Sequence, residues 1–255
     1  MTQDLSPLGA RLRRADPDRF LAALFAPAER RETLFLLGAV NDELARAREV
    51  ASLPMIALIR LQWWREIAEG TRRRHEVAGP LGAALDAGLL DAADLLAMIE
   101  GREVETDETV PDLAAFRAYV EATAGGHAAA AGRLLGADAP TIARLRSLGT
   151  AYGVAGVLRS VPALARAGRC LLPEDVLADQ RLTVHDVIAR PAAFDPTPLR
   201  AEAARLLAAG SGRFPRAIIA AALPAVLARR DLARPAPRGL AARLAVVAAY
   251  MIGRV

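Results

Sequence analysis

Residues 19–70 read RFLAALFAPAERRETLFLLGAVNDELARAREVASLPMIALIRLQWWREIAEG. Apolar residues recur through this stretch every three or four positions, which is the spacing of one helix face. Pro27 and Pro54 each stand where a proline begins a helix, and Gly70 stands where the second helix ends. The stretch therefore predicts two consecutive helices. For the second helix the predicted buried residues are Ile56, Ile59, Leu61, Trp63 and Ile67.

The same spacing continues along the chain, and no strictly alternating apolar run predicts a strand. We therefore predict an all-α protein with a single domain over residues 1–255. Residues 183–198 contain Pro191 and Pro196 and are predicted to form a loop, followed by C-terminal helices over 199–255. Further helices are predicted at 16–24, as a pair between 80 and 101, at 111–135, at 140–164, and from residues 197, 214 and 237.

The composition bounds the chemistry of this chain. Hydrophobic residues make up 53% of its 255 residues, which is enough to bury a large core. All 33 basic residues are arginines, so lysine Schiff bases and lysine-dependent phosphate loops are excluded. The single cysteine, Cys170, excludes an internal disulfide and a cysteine-based zinc site. The three histidines lie far apart in sequence, and we expect no metal site from them.

The hydropathy pattern favours a cytoplasmic protein. No apolar run approaches the roughly 18 residues of a spanning helix, and the first twenty residues lack the apolar core of a secretory signal. Residues 240–252 are apolar on most faces but too short to span a bilayer, and we predict a packed helix there. The arginines are too dispersed and the aromatic residues too sparse for nucleic-acid binding, so no such partner is expected.

Three blocks carry a resemblance to a known family. They are residues 19–70, AYVEATAGG at 118–126, and AYGVAGVLRSVPALARAGRCLLPEDVL at 151–177. In order and spacing they resemble the squalene/phytoene synthase family, the head-to-head trans-isoprenyl diphosphate synthases, over about residues 17–180. The resemblance implies an isoprenoid-synthase-like helical bundle around a central cavity. In active members two aspartate-rich motifs on facing helices hold Mg²⁺, which binds the diphosphate and assists its departure.

The acids of those motifs are mostly missing from this chain. The resemblance places the first motif at Ala45 and Glu49, with Arg46 at the neighbouring acidic position. It places the second motif at Gly156, Arg159, Ser160 and Leu164. One of four expected carboxylates remains, so we expect no catalytic residue, no metal site and no cofactor.

Several residues remain candidates for lining a ligand cavity. Asp42, Glu43 and Glu49 either form a shifted, weakened metal motif or are solvated or paired with Arg46 and Arg48. Arg159 either binds an anionic head group or forms a buried ion pair. A glycine pair in the 118–126 block allows either a close helix approach or a kink around a ligand. The full candidate set is Asp42, Ala45, Arg46, Glu49, Gly125, Gly126, Gly156, Arg159, Ser160 and Leu164.

The phrases RLQWWRE, LRSVP and RCLLPEDVL resemble a branch of the family that lacks the aspartate motifs and is related to a mitochondrial assembly factor for respiratory complex I. This resemblance implies a non-catalytic protein that binds a hydrophobic or prenyl ligand or a membrane-associated client, assists complex I assembly, and sits peripherally on the inner membrane. One alternative is an Mg²⁺-dependent transferase condensing isoprenyl diphosphates. Another is a helical interaction scaffold with a filled interior.

Overall fold

The computed structural model describes residues 5–51, 53–234 and 237–255, and its regular structure over these ranges is helical. The helices are α1 Pro7–Ala15, α2 Pro17–Ala23, α3 Ala28–Glu49, α4 Pro54–Ala68, α5 Ala78–Asp86, α6 Ala92–Glu103, α7 Leu113–Val120, α8 Gly126–Leu134, α9 Ala139–Arg166, α10 Glu174–Asp179, α11 Val184–Ala189, α12 Thr197–Gly210, α13 Pro224–Ala233 and α14 Leu240–Ile252. Short 3-10 turns occupy Val104–Thr106, Pro191–Ala193 and Ile219–Ala221, and a π-helical turn, Glu121–Gly125, joins α7 to α8. The all-α prediction is confirmed.

Local chemistry sets many of the helix starts. The Ser6 hydroxyl accepts a hydrogen bond from the backbone N–H of Gly9 at 3.0 Å, which caps α1. Asp16 caps α2 and Asp138 caps α9 in the same way, and each is followed by a proline in the first turn. Such caps satisfy backbone N–H groups that a helix leaves without internal partners.

Two long helices organise the bundle. The 22-residue helix α3 packs against α1, α2, α4, α5, α6 and α8, whereas the 28-residue α9 packs against α7, α8, α11, α12 and α13. Helix α8 touches both long helices. The first motif-aligned segment lies at the carboxyl end of α3, and the second lies in the carboxyl-terminal half of α9.

The buried face of α4 differs from the predicted one. Its buried residues are Ala57, Leu61, Trp64, Ile67 and Ala68. Ile56 and Ile59 are 40% and 62% exposed, and Trp63 is half-buried, so burial of these three was predicted wrongly. Because α4 carries apolar residues on both faces, the sequence pattern alone does not determine which face meets the core.

Two predicted boundaries are also corrected. The segment predicted as a loop at 183–198 contains α11, which begins with a capping box between Thr183 and Asp186. The helix predicted from residue 214 begins only at Pro224, after a 3-10 turn. Proline at the first helical position fixes that later start.

The predicted helix at residues 240–252 is present as α14, but packing buries little of it. Ala242 and Val246 are its buried residues, whereas the large apolar side chains are mostly exposed. The expectation of a packed helix is therefore wrong for most of its apolar surface.

A glycine allows α9 to approach the π-helical turn and α8. A Cβ atom built on Gly149 would lie 2.5 Å from the carbonyl oxygen of Ala124 and 2.5 Å from the Cβ of Ala128. Seven residues later on the same helix, a Cβ on Gly156 would meet no heavy atom of the described residues within 4 Å.

We expect Gly149→Ala to lower the free energy of unfolding by about 1–3 kcal/mol, because the backbone of the π-helical turn and the side chain of Ala128 on α8 would have to move away from α9. Gly156→Ala is the matched control and should raise it by up to about 1 kcal/mol through helix propensity. Urea unfolding followed by circular dichroism measures both. Equal effects of the two substitutions would show that the close approach is not what Gly149 provides.

Candidate functional site

The first motif-aligned segment presents four candidate residues on one face of α3. Asp42, Ala45, Arg46 and Glu49 are spaced three, one and three residues apart, so they share that face. Asp42 and Ala45 are half-buried and Arg46 is exposed. The face therefore brings two carboxylates, Asp42 and Glu49, to the end of the helix, two turns apart on either side of Ala45 and Arg46.

Asp42 is held by an arginine from the first helix. Arg11 donates from Nη2 to Asp42 Oδ2 at 3.2 Å and also pairs with Glu43 and Glu76. Asp42 and Glu43 are thus paired, but their cation comes from α1 and not from the predicted Arg46 or Arg48. Glu49 is exposed at the end of α3. Arg48 instead donates to the carbonyl oxygen of Ala51 at 3.0 Å.

Beside Glu49 lies a buried group that we call the Arg102 cluster: Asn41, Arg102, Glu105, Tyr119 and Arg169. Arg102 on α6 pairs with Glu105 and donates to Asn41 Oδ1 at 3.3 Å. The Tyr119 hydroxyl donates to Glu105 Oε1 at 2.6 Å, and Arg169 donates to the backbone oxygen of Glu105 at 3.2 Å. Burial and the charge of Glu105 raise the pKa of Tyr119, so this hydroxyl remains a donor.

The charges of this cluster affect the pKa of Glu49. Loss of solvation and the nearby carboxylate of Glu105 raise the pKa of Glu49 above its ordinary value, against the opposing effect of Arg102 and Arg169. Two carboxylates, Glu49 and Glu105, thus stand among two guanidinium groups.

The second motif-aligned segment leads to another charged group, which we call the Asp18 cluster: the buried Asp18, Tyr152 and Asp231, the half-buried Arg238 and the exposed Arg159. Arg159 on α9 donates to Asp231 Oδ2 at 3.0 Å and lies 3.8 Å from Asp18. Arg238 donates to both acids, at 2.8 Å to Asp18 and 2.6 Å to Asp231. The Tyr152 hydroxyl lies 3.3 Å from Asp18 Oδ2. Of the two interpretations of Arg159, the geometry has it in an ion pair with a buried acid.

The remaining positions of the second motif carry no acid. Ser160 and Leu164 are half-buried, and Leu164 packs against the hydrophobic core. Gly156, one turn before Ser160, leaves open space where a side chain would project. Only Arg159 among these four residues joins a charged cluster.

Gly125 and Gly126 serve a close approach of helices. A Cβ on Gly125 would lie 2.5 Å from Thr150 Oγ1 on α9, and one on Gly126 would lie 3.1 Å from Met98 Cγ on α6. Gly125 also ends the π-helical turn. The contacts with both helices account for the glycines through packing.

The bundle has a small pocket that is partly open to solvent. It lies between α2, α8, α9 and α13, has a volume of about 30 Å³, and is lined mainly by alanines together with Arg19, His127 and Tyr152. That volume suits one or two waters, whereas pockets for small molecules measure roughly 300–1,000 Å³. His127 is buried there, and desolvation followed by the charges of Arg19 and Arg102 lowers its pKa well below the ordinary value.

These residues do not fit a magnesium-bound diphosphate. Mg²⁺ takes hard oxygen ligands in an octahedron, mostly carboxylates, phosphates and water. At the four aligned positions this chain offers Ala45, Glu49, Ser160 and Leu164, and the acids found nearby already bind arginines. A cation would have to displace guanidinium groups from their buried partners.

Sequence reasoning missed most of the charged residues that meet here. Arg238 lies 220 residues from Asp18 along the chain, and Tyr152 lies 134 residues from it. No local spacing can signal contacts of that separation.

Comparison with known proteins agrees with this architecture. The sequence model of the squalene/phytoene synthase family matches residues 12–254. Two solved structures share the fold. One is a dehydrosqualene synthase in complex with ligand, with a TM-score of 0.76 and 14% identity over 96% of this chain and 94% of that chain. The other is squalene synthase HpnC from Alicyclobacillus acidocaldarius, with a TM-score of 0.67 and 19% identity over 96% of this chain and 93% of that chain. At these identities the likeness concerns the fold, and the predicted isoprenoid-synthase-like fold is confirmed.

The curated proteins that are similar in sequence are named as assembly factors and not as synthases. NADH dehydrogenase (ubiquinone) complex I, assembly factor 6, is 26% identical to this chain in its Homo sapiens form and 28% in its Rattus norvegicus form, each over 185 residues. Those regions cover 70% of this chain and 56% of each relative. The matched part therefore spans about half the length of these relatives.

Removing one acid of the Asp18 cluster should destabilise the fold. We expect Asp231→Asn to cost about 2–3 kcal/mol, because Arg238 and Arg159 lose a buried counter-charge while Arg159 keeps partial access to water. Glu66→Gln, which removes the exposed partner of Arg73, should cost less than about 1 kcal/mol. Chemical unfolding at neutral pH compares them; similar losses would contradict the assignment.

His127 should make stability fall in mild acid. Its pKa is ordinary, about 6.5, in the unfolded chain and well below that in the fold, so below pH 6.5 the unfolded state binds one more proton. Between pH 7 and pH 5 the wild type should lose about 1–2 kcal/mol more than His127→Gln. His185→Gln, which removes an exposed imidazole, should behave as the wild type. Unfolding titrations at several pH values measure the difference, and identical slopes for all three proteins would contradict it.

Proposed function

The chain belongs to the squalene/phytoene synthase family, and we propose that it is a non-catalytic member that assists the assembly of respiratory complex I. The observation that carries the proposal is the arrangement of charge in the interior. Acids that stand close to the two motif-aligned segments are bound to arginines of the same chain, at Asp42, Glu105, Asp18 and Asp231.

This arrangement argues against prenyl transfer. Ionisation of an isoprenyl diphosphate requires cations that grip the leaving group and carboxylates that hold those cations. Here Glu49 is the single aligned carboxylate, and Arg102 and Arg169 already influence its charge. We therefore propose that the protein uses neither Mg²⁺ nor another cofactor, in preference to the alternative of an isoprenyl diphosphate-condensing enzyme.

The relatives support the second part of the proposal, the role in complex I assembly. They are named as assembly factors of complex I, and they match this chain across 70% of its length. By that analogy the chain would act on a subunit of a respiratory complex. We further propose that it does so from the cytoplasmic side, peripherally on the inner membrane. No described helix is both long and apolar enough to cross a bilayer.

The size of the interior cavity favours a protein client over an enclosed prenyl chain. A cavity of about 30 Å³ holds no isoprenoid without extensive opening of the bundle. Client binding on the surface requires no such opening. The chain would then act through its outer faces, on a scaffold whose interior is nearly filled.

A deletion strain tests the assembly role. We expect loss of the protein to reduce NADH oxidation by isolated membranes and the amount of intact complex I on native gels, with succinate oxidation unchanged. Complementation with the wild-type chain should restore both. Unchanged complex I in the deletion strain would rule the role out.

A separate measurement tests the catalytic alternative on the purified protein. We expect titration calorimetry with farnesyl diphosphate or geranylgeranyl diphosphate to give the same weak or absent heat with Mg²⁺ and with a chelator, and we expect no pyrophosphate release. Magnesium-dependent binding followed by turnover would overturn the non-catalytic assignment.

A further inference from the structure

The helix α14 leaves a stripe of large apolar side chains in solvent. The exposed fractions are 72% for Leu240, 56% for Leu244, 38% for Val247, 63% for Met251 and 62% for Ile252. The first four stand at positions i, i+4, i+7 and i+11, so they line one face over about 17 Å of helix. A continuous exposed apolar stripe of this kind marks an interaction surface.

The opposite face fixes α14 to the bundle. Ala242 and Val246 are buried, and the ring of Tyr250 lies against that of Phe25 with 4.7 Å between centroids. The exposed stripe is therefore held outward on a rigid support.

The charged side chains of the α14 segment itself have one sign. Residues 232–255 contain four arginines and no aspartate or glutamate. Arg238 pairs with the acids of the Asp18 cluster. The other three, Arg234, Arg243 and Arg254, are exposed. Arg243 lies on the stripe itself, one turn from Leu240 and Val247. An apolar face with cationic residues on it and beyond both ends is typical of helices that lie in the interface of an anionic membrane.

A groove adjoins the stripe. It has a volume of about 260 Å³ and runs between the α1–α2 segment and the α13–α14 segment. Phe20, Leu21 and Leu24 contribute apolar walls, and Arg13 and Arg243 line the same groove. Asp18 lines it as well, but its charge is balanced by Arg238. An acyl chain fits such walls, and the planar guanidinium groups suit a phosphate.

We propose that the exposed face of α14 and this groove bind the surface of a bilayer that contains anionic phospholipids. The inference rests on the peripheral placement in the proposed function and names the surface responsible. A second copy of the chain fits less well, because two α14 faces in contact would bring like-charged arginines together. An anionic bilayer instead satisfies both the apolar stripe and the arginines.

Vesicle binding by the full-length protein tests the proposal. We expect the wild type to sediment with vesicles of phosphatidylcholine and phosphatidylglycerol, and much less with phosphatidylcholine alone. The variant Leu244→Glu/Met251→Glu should lose at least about ten-fold in the partition coefficient, because two inserted side chains become charged. Arg243→Gln should lose about five-fold, on anionic vesicles only.

The matched control places the same charges on another exposed apolar face. Ile56→Glu/Ile59→Glu on α4 changes two exposed isoleucines and should bind vesicles as the wild type does. Equal loss in both double variants, or no lipid binding by the wild type, would overturn the proposal. So would a wild-type dimer in sedimentation that the α14 variant converts to a monomer, because α14 would then be a self-association surface.

A fluorescent label gives a readout that does not depend on disruptive variants. Cys170 is buried, so a polarity-sensitive dye can be attached at Leu244→Cys or, as a control, at Ile59→Cys. Anionic vesicles should shift the emission to the blue at residue 244 and leave it unchanged at residue 59. A shift at 59 alone would contradict the proposal. Vesicle binding is measured on purified protein and complex I assembly in a deletion strain, so the two proposals are tested independently. Absence of vesicle binding would contradict the lipid proposal alone, and unchanged complex I in the deletion strain would contradict the assembly role alone.

Discussion

The packing of this bundle depends on a guanidinium group for each deeply buried carboxylate near its centre. Asp18 and Asp231 are each less than a tenth exposed, and Arg238 donates hydrogen bonds to both. Leaving such a charge unpaired costs several kcal/mol per ion. Helices α2, α9 and α13 therefore reach a stable arrangement only when the segment before α14 delivers Arg238 between them, which links the two ends of the chain.

Arginine also changes what the interior can do. A metal-binding pocket needs acids that stay open to a cation and are neutralised when that cation arrives. In this chain the neutralising charge belongs to arginine side chains of the chain itself. It is always present, because a guanidinium group does not lose its proton in the physiological pH range. Glu105 illustrates the result, because Arg102 and the Tyr119 hydroxyl already use its carboxylate. Small alanine side chains then pack closely enough to leave a cavity of about 30 Å³.

How much of this could be predicted from the sequence depends on the range of each interaction. Helix starts at Pro54 and Pro17 follow from local chemistry and could be predicted. The missed helix α11 also had a local signal, the capping box at Thr183. The buried face of α4 could not be predicted, because both faces are apolar. At the site, the absence of the motif acids could be seen in the sequence. The pairing of Asp18 with Arg238 could not be predicted, because the two residues lie 220 positions apart and no local spacing connects them.

A filled and neutralised interior shifts the question of function to the surface, where electrostatics separates two apolar faces. Residues 53–59, at the start of α4, contain no charged residue, whereas arginine is the one charged residue type in residues 232–255. Apolar area alone would let either face meet a bilayer or a protein. An anionic surface adds roughly 1 kcal/mol for each nearby cationic side chain. The segment around α14 offers the exposed Arg234, Arg243 and Arg254, whereas the start of α4 offers the exposed Arg60, so the contribution is larger for α14. The two faces can therefore serve different partners on one rigid body.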